Sequence, residues 1–324
     1  MALTNKLSAI GDAIREKTGK TELLTLDAMP VAILSIETGG EMKEVVISGS
    51  QFEQWILTGR YTDDSGNMYV SPVDYYNDWI TEIRQSNCFS AMNAKTITLP
   101  NLEKHYTLRN SFFANNPTVE EIHAPKLQVA AANCFKDCNK LKFADFPVMT
   151  EVKNNAFSNC YKVEYINLPS CTTVWGSAFE NCNALTSVNL SACETLGNKA
   201  FYQCTKIESI SFPMLKELSS AEEFYSCTAL KKLDFGVLNA ISCYSWNSPF
   251  YQCSAFETLI LRSSSVVSAS SDMAAVFNQT KIKSGSTGYI YVPSALIEDY
   301  KVATNWATLA SRFRAIEDYP EICG

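Results

Sequence analysis

A phenylalanine followed three residues later by a cysteine recurs along this chain at a nearly constant interval. The intervals are 22, 22, 22, 23 and 26 residues, and the pairs are Phe135/Cys138, Phe157/Cys160, Phe179/Cys182, Phe201/Cys204, Phe224/Cys227 and Phe250/Cys253. Counted from each phenylalanine, apolar residues follow at +6, +9, +11, +14 and +17, often with proline at +12. An internal period of this length indicates a solenoid in which each repeat forms one coil and stacks on its neighbours.

The apolar alternation inside each repeat predicts one short strand per coil. In the clearest copy, Ile166 and Leu168 are separated by one polar residue, so both side chains point to the same, inward face. Identical inward positions then stack between coils. The cysteine column is therefore expected to be a ladder of buried, free thiols, because equivalent residues of parallel strands rarely meet disulfide geometry.

The repeat closely resembles the BspA-like leucine-rich repeats of bacterial surface proteins. The pattern A-F-x-N-C-x-x-L-x-x-I-x-L-P stands at residues 156–169 and recurs at 178–190, and the resemblance covers roughly residues 85–320. It implies a leucine-rich repeat solenoid with short parallel strands, closed by a C-terminal cap that includes Trp306 and Phe313. Residues 3–36, and most clearly the sequence at 7–19, resemble a short helical module at the start of many phage tail and prophage-encoded proteins. Together the two resemblances imply an extended recognition protein that is displayed on a virion rather than secreted.

Four segments are expected along the chain: a helical attachment module at 1–40, a mixed segment or N-terminal cap at 41–84, the solenoid at 85–276 and the C-terminal cap at 277–324. Leu3, Leu7, Ile10 and Ile14 form one stripe of an amphipathic helix. A second short helix is predicted from near Asp27 to the break at residues 39–40. Two such helices cannot form a core alone, so they either dock on a partner or cap the first coil.

The segment 41–84 does not carry the repeat. Val45, Val46 and Ile47 indicate a strand, and the sequence Asp-Asp-Ser-Gly-Asn at 63–67 is typical of a hairpin turn. The oxygen-rich residues of that turn also suggest a calcium loop, although they lack the alternating ligands and the distal glutamate of an EF-hand.

The outward positions of the predicted strands form a continuous face, which is our candidate binding surface. Solenoid faces of this kind serve extended binding. The candidate ligand-binding residues are Glu121, His123, Phe143, Asp145, Tyr165, Asn167, Asn189, Lys232 and Asp234. Polar groups beside exposed aromatic rings suit a glycan or a protein epitope, but Tyr, Phe and Thr also favour strands for their own sake.

The tyrosines and two of the cysteines carry further expectations. Tyr202, Tyr225 and Tyr251 follow the repeat phenylalanine directly, and they suit either an interaction surface or packing between coils. Cys323, next to the last residue, is the one thiol expected to be exposed and reactive. Serine in place of Cys182 is expected to destabilise the fold if the cysteine column is buried.

Charge and motif content narrow the functional classes. With 27 Lys and Arg against 34 Asp and Glu, the net charge of −7 gives no basic field for nucleic acid. No catalytic motif, metal cluster or cofactor fingerprint is present, and the N-terminus has no recognisable Sec signal. The main hypothesis is a non-enzymatic, tail-associated adhesion protein, made in the bacterial cytoplasm, that contacts a virion or envelope protein through 1–40 and a host-surface glycan or protein through its repeats. The alternatives are a bacterial cell-surface or secreted adhesin and, least favoured, a glycan-cleaving enzyme.

Overall fold

The computed structural model describes residues 31–38, 41–48, 60–62, 68–70, 74–76, 82–83, 89–90, 94–105, 111–219, 221–243, 247–285 and 287–323. Up to residue 83, and at 104–105, it describes the course of the backbone. Two antiparallel pairs come first. Strand β1 (Val31–Thr38) pairs with β2 (Glu41–Ser48), and β3 (Arg60–Thr62) pairs with β4 (Met68–Val70).

The first antiparallel pair corrects one prediction and confirms another. The second helix, expected from near Asp27, is wrong, because residues 31–38 form β1 with Thr38 opposite Glu41. Val31, Ile33 and Ile36 favour extended backbone, and a Gly-Gly pair between two apolar segments signals a hairpin as well as a helix end. The strand expected at 45–47 lies within β2. The first predicted helix, from Leu3 to Ile14, falls outside the described residues.

The second antiparallel pair confirms the hairpin predicted around 63–67. Thr62 lies opposite Met68 in the register of β3 and β4, so the chain reverses direction between them. The five residues that join the two strands fall outside the described residues, and with them the calcium-loop alternative.

The rest of the chain is a leucine-rich repeat solenoid with two strands in most coils, one more than predicted. The strands in chain order are β5 (Asp74–Tyr76), β6 (Glu82–Ile83), β7 (Thr96–Thr98), β8 (Lys104–His105), β9 (Glu121–His123), β10 (Val129–Ala130), β11 (Phe143–Asp145), β12 (Glu151–Val152), β13 (Tyr165–Asn167), β14 (Thr173–Val174), β15 (Ser187–Asn189), β16 (Thr195–Leu196), β17 (Ser209–Phe212), β18 (Glu217–Leu218), β19 (Lys232–Phe235), β20 (Ala240–Ile241), β21 (Thr258–Leu261), β22 (Ser268–Ala269), β23 (Tyr289–Val292) and β24 (Phe313–Ala315).

Equivalent strands of successive coils pair in parallel and form two columns of sheet. The longer strands form the front column, which consists of an N-terminal front sheet (β5, β7, β9, β11, β13, β15) and a C-terminal front sheet (β17, β19, β21, β23, β24). The two-residue strands form the rear column in the same manner. Parallel pairing thus extends beyond the expected solenoid limits of 85 and 276, from Asp74 to Ala315.

A stack of phenylalanine rings runs through the turn side of the coils. Neighbouring ring centroids are 4.7 to 6.2 Å apart, and the stacked rings belong to Phe89, Phe113, Phe135, Phe157, Phe179, Phe201, Phe224, Phe250 and Phe277. All nine are fully buried. The stack crosses the gap between the two front sheets, because Phe179 and Phe201 remain 5.1 Å apart. It therefore joins the two halves of the array into one core.

The asparagine of the repeat motif has a backbone role. Asn159 and Asn181 adopt φ angles of 62° and 60°, in the left-handed region that asparagine tolerates better than most residues. Their side chains also link successive coils, since the Asn159 amide donates to Asp137 Oδ1 at 2.7 Å and the Asn181 amide donates to Asn159 Oδ1 at 2.8 Å. The turn beside each cysteine is thus held by both backbone preference and side-chain bonding.

The cysteine column is a buried ladder, as predicted. All six thiols are fully buried and unpaired in disulfides, and each donates to the carbonyl of the phenylalanine in the preceding coil at 2.9 to 3.2 Å. Burial raises the pKa of Cys138 to about 12. Asn116 replaces cysteine in an earlier coil and makes the same link, because its amide donates to the Phe89 carbonyl at 2.7 Å. The column therefore requires a small donor rather than sulfur itself.

Short helices and aromatic residues close the C-terminal end. The helices are α1 (Met273–Val276), α2 (Lys281–Ser284), α3 (Ile297–Val302) and α4 (Pro320–Cys323), with 3-10 turns at Ser294–Leu296, Ala307–Arg312 and Ile316–Asp318. The peptide of Val267 is held from both sides, since its N–H donates to Tyr300 Oη at 2.9 Å and its carbonyl accepts from Trp306 Nε1 at 2.7 Å. Both rings are buried, so they cover the core where the coils end.

Candidate ligand-binding face

The outward side chains of four neighbouring strands form an open strip on the N-terminal front sheet. Each strand of β9, β11, β13 and β15 turns its middle residue inward and its first and third residues outward. We call the outward set the front strip, and it consists of Glu121, His123, Phe143, Asp145, Tyr165, Asn167, Ser187 and Asn189. All eight are exposed or half-buried, so seven of the nine candidate binding residues lie together on one accessible surface.

One edge of the front strip is a hydrogen-bonded row of amide and carboxylate groups. The Asn167 amide donates to Asp145 Oδ1 at 3.1 Å, and the Asn189 amide donates to Asn167 Oδ1 at 3.1 Å. The row ends where Asn189 Oδ1 accepts from the backbone N–H of Ser191 at 3.3 Å. These links fix the side chains in one orientation before any ligand arrives, which reduces the entropy lost on binding.

The other edge of the front strip carries two aromatic rings. Phe143 and Tyr165 are register partners on adjacent strands, and Tyr165 is 38% exposed. Beyond Phe143 lies His123, with the two ring centroids 5.9 Å apart and His123 Nε2 3.3 Å from Glu121 Oε2. The strip therefore combines an aromatic patch with a polar row.

No lysine or arginine belongs to the front strip. The nearest strongly paired cation lies beside it, where Lys142 Nζ donates to Glu120 Oε2 at 2.6 Å. This bond lowers the pKa of Glu120, so the pair stays ionised and its charges offset each other. With Glu121 and Asp145 as its carboxylates, the strip presents a neutral to acidic surface.

The remaining two candidates, Lys232 and Asp234, lie on β19 and are engaged by other parts of the chain. Lys232 Nζ donates to the Ile322 carbonyl at 2.5 Å. Asp234 accepts two bonds from Arg262, both at 2.8 Å, which raise the pKa of the guanidinium. These two residues therefore lie outside the front strip, and their charged groups bond to other residues of the same chain.

Residues 316–323, which we call the closing segment, provide the bonding partner of Lys232 and bury Cys323. It packs on the C-terminal front sheet, where Cys323 contacts Ile260 and Tyr291, and the guanidinium of Arg262 also donates to the Cys323 carbonyl. Cys323 is only 2% exposed, so the expectation of an exposed, reactive thiol is wrong. Burial raises the pKa of this thiol as well.

The tyrosine column forms a stack of its own. Ring centroids are 4.7 Å apart for Tyr202 and Tyr225 and 5.1 Å apart for Tyr225 and Tyr251. The Lys199 ammonium lies 5.2 Å from the centroid of the Tyr202 ring. All three rings are half-buried, which agrees with the packing interpretation.

Sequence reasoning missed two exposed aromatic residues, Tyr161 and Trp175. Trp175 follows rear strand β14 and is 46% exposed, while its Nε1 donates to Glu151 Oε1 at 2.7 Å. Its position one residue beyond the apolar +17 column was the available signal.

Within the described part of the chain, no three His, Cys, Asp or Glu side chains converge where a metal ion could bind. Within the same residues, no helix is both long and apolar enough to cross a bilayer.

Comparison with known proteins gives one family match. Residues 75–164 and 172–288 match the BspA type leucine-rich repeat region in six copies, which is more than half of the chain. No curated protein matches.

Among solved structures, the chain is similar to a leucine-rich repeat protein from Bacteroides ovatus, with 12% identity, coverage of 81% of this chain and 98% of the other, and a TM-score of 0.40. It is also similar to a leucine rich cell surface protein from Faecalibacterium prausnitzii (11% identity, 79% and 91% coverage, TM-score 0.36) and to the pneumococcal vaccine antigen PcpA (16%, 88% and 95%, 0.32). The repeat match alone assigns the family.

Proposed function

Because the chain belongs to the BspA type leucine-rich repeat family, we propose that it is a non-enzymatic binding protein of a bacterial surface, and that its ligand contacts the front strip. One observation carries this proposal. The front strip is an accessible, pre-ordered surface of aromatic and hydrogen-bonding groups on a rigid sheet. Rigid scaffolds that position such groups are suited to recognition.

The aromatic edge supports a binding role more strongly than strand propensity does. Strand propensity alone explains why Phe143 and Tyr165 occupy a sheet, but apolar burial is satisfied by the inward residues Ala144 and Ile166. Two partly exposed rings on neighbouring strands add a contact surface that the fold itself does not use. Aromatic side chains give large contact area at low entropic cost, which is why binding surfaces favour them.

A bacterial cell surface is the setting we favour over a virion tail. The surface setting follows from the repeats, whose pattern resembles that of bacterial surface proteins. The tail hypothesis rested on two helices within residues 1–40, and residues 31–38 form a strand instead. Contact of residues 1–40 with an envelope or virion protein remains a proposal. Deleting them should leave location unchanged in a surface adhesin and abolish particle association in a tail protein.

The first experiment is binding of fluorescently labelled full-length protein to a panel of intact bacterial and epithelial cells. We expect saturable binding to a subset of cells. The double variant Phe143→Ala, Tyr165→Ala should lose it, because both rings of the aromatic edge are removed. Trp175→Ala is the matched control, since it removes an exposed aromatic ring away from the front strip.

Three outcomes decide between the alternatives. Binding that survives the double variant would move the site to another face, and binding to no cell type would contradict a surface-recognition role. Release of soluble product from a bound polysaccharide would support the glycan-cleaving alternative instead.

A further inference from the structure

We propose that the front strip binds an uncharged, extended polysaccharide that lies along the solenoid, across the strands. This inference rests on the proposed function and names the ligand class for the same surface. Four features of the strip support it: its charge, its free hydrogen-bonding capacity, its aromatic edge and its lack of an apolar centre.

The charge of the front strip favours an uncharged ligand. The strip has carboxylates at Glu121 and Asp145 and no lysine or arginine, while the single imidazole, His123, is already 3.3 Å from the Glu121 carboxylate. A polyanion such as a sulfated glycan or a teichoic acid would meet repulsion here, and the strip itself has no lysine or arginine to offset it. Carboxylates and amides can instead accept hydrogen bonds from the hydroxyl groups of a neutral sugar.

The polar row supplies the second argument. An amide has two N–H donors and two oxygen lone pairs. Asn167 uses one N–H toward Asp145 and one lone pair toward Asn189, so one donor and one acceptor remain for a ligand. Strands in a sheet lie about 4.8 Å apart, so the row offers its groups at regular intervals along the array. A polymer of repeated hydroxyl-bearing units matches such a series.

The aromatic edge supplies the third argument. The ring face of a tyrosine or phenylalanine is electron-rich and packs against weakly positive C–H groups. One side of a pyranose ring presents several C–H bonds while its hydroxyl groups point outward around the ring. A sugar chain that stacks on Phe143 and Tyr165 can therefore reach the polar row with its hydroxyl groups, because the two edges belong to the same strands.

The composition of the strip also argues against a protein ligand. Stable protein interfaces contain a fully desolvated apolar centre and commonly bury about 800 Å² on each partner. The front strip has only two apolar rings, one at each of two strands, and its other six members are polar. Ser187 and Asn189 continue the polar surface rather than enclosing an apolar pocket.

The direct test is affinity electrophoresis of the full-length protein in gels containing dextran, mannan, xylan, laminarin or hydroxyethyl cellulose, with heparin as the polyanion. We expect at least one neutral polysaccharide to retard the protein and heparin to leave it unaffected. Tyr165→Ala should weaken retardation at least about tenfold in apparent affinity, whereas Tyr165→Phe keeps the ring and should stay within about twofold. Trp175→Ala should behave as the parent, and matching melting curves would show that each variant is folded.

A second test separates this inference from the proposed function. Cells that bind the protein are treated with periodate, which oxidises sugar diols, or with protease. Loss of binding after periodate alone supports the polysaccharide. Loss after protease alone, or retention after both, overturns it while leaving the surface-binding function in place. Retardation by heparin only, or by no neutral polysaccharide, also overturns the inference. The proposed function itself fails only if no cell type shows saturable binding.

Discussion

The two front sheets use the same strand position in opposite ways. On β11 and β13 the outward side chains at the third strand position, Asp145 and Asn167, are half-buried and reach solvent. On β21 and β23 the corresponding Ile260 and Tyr291 are 0% and 4% exposed, because the closing segment covers them. An outward position in a repeat is therefore a surface only where no other part of the chain packs on it.

Charge explains why the closing segment lies where it does. Lys232, on β19, and Arg262, directly after β21, donate to the carbonyls of Ile322 and Cys323 at the end of α4. Cations near the C-terminal end of a helix satisfy carbonyls that lack partners within it. The front strip has apolar rings but no such cation, so it offers the closing segment no equivalent anchor.

The largest effect is expected in the reactivity of two buried thiols, Cys323 in the closing segment and Cys182 in the cysteine column. A pulse of iodoacetamide on the native protein should modify Cys323 at least about 100-fold faster than Cys182, because detachment of α4 exposes Cys323 while Cys182 requires the coils to separate. Peptide mass spectrometry measures both sites in one sample. Equal rates at the two sites would mean that the closing segment is as firmly held as the solenoid core.

A smaller effect is expected from Arg262→Ala. This substitution leaves the carboxylate of Asp234, which is 14% exposed, without its two guanidinium bonds, and it releases the Cys323 carbonyl. We expect a loss of about 1–3 kcal/mol of unfolding free energy, measured by denaturant titration. Lys142→Ala is the control on the open half, and it should cost less because Lys142 and Glu120 are both exposed to solvent screening. The reverse order would contradict the anchoring role of Arg262.

The smallest effect is expected on the open half itself. Asp145→Ala removes the acceptor at one end of the polar row and should cost about 1 kcal/mol. Asp145→Asn keeps an oxygen for the Asn167 amide and should leave the free energy of unfolding nearly unchanged. If both variants melt alike, the row does not contribute to the stability of the front sheet.

The repeated part of the fold could be predicted from the sequence because every coil buries the same residue types at the same positions. Phe157, Cys160 and Ile166 each have equivalents about 22 residues away, so one register predicts the inward positions, the strand and the buried thiols of the whole array. The front strip followed directly, since outward positions are those that the apolar period skips.

The parts that were mispredicted depend on contacts without a repeat. Lys232 and Ile322 are 90 residues apart, and nothing in the local pattern around either one indicates that they meet. Cys323 was expected to be exposed because it lies near the end of the sequence, yet burial depends on Ile260 and Tyr291. The sequence of residues 31–38 is compatible with either a strand or a helix. The strand forms because it pairs with β2.

The hydrogen bonds of the cysteine thiols all point the same way along the array, and they repeat once per coil. Every cysteine of the ladder donates toward the preceding coil, and the same bond recurs from Cys138 to Cys253. A whole coil inserted between two others would find a phenylalanine carbonyl that can accept from its thiol on one side and supply such a carbonyl on the other, so neither end would need to change. The number of coils can thus vary by duplication or deletion of single repeats while the packing of the core stays the same. The length of the exposed strip would vary with it.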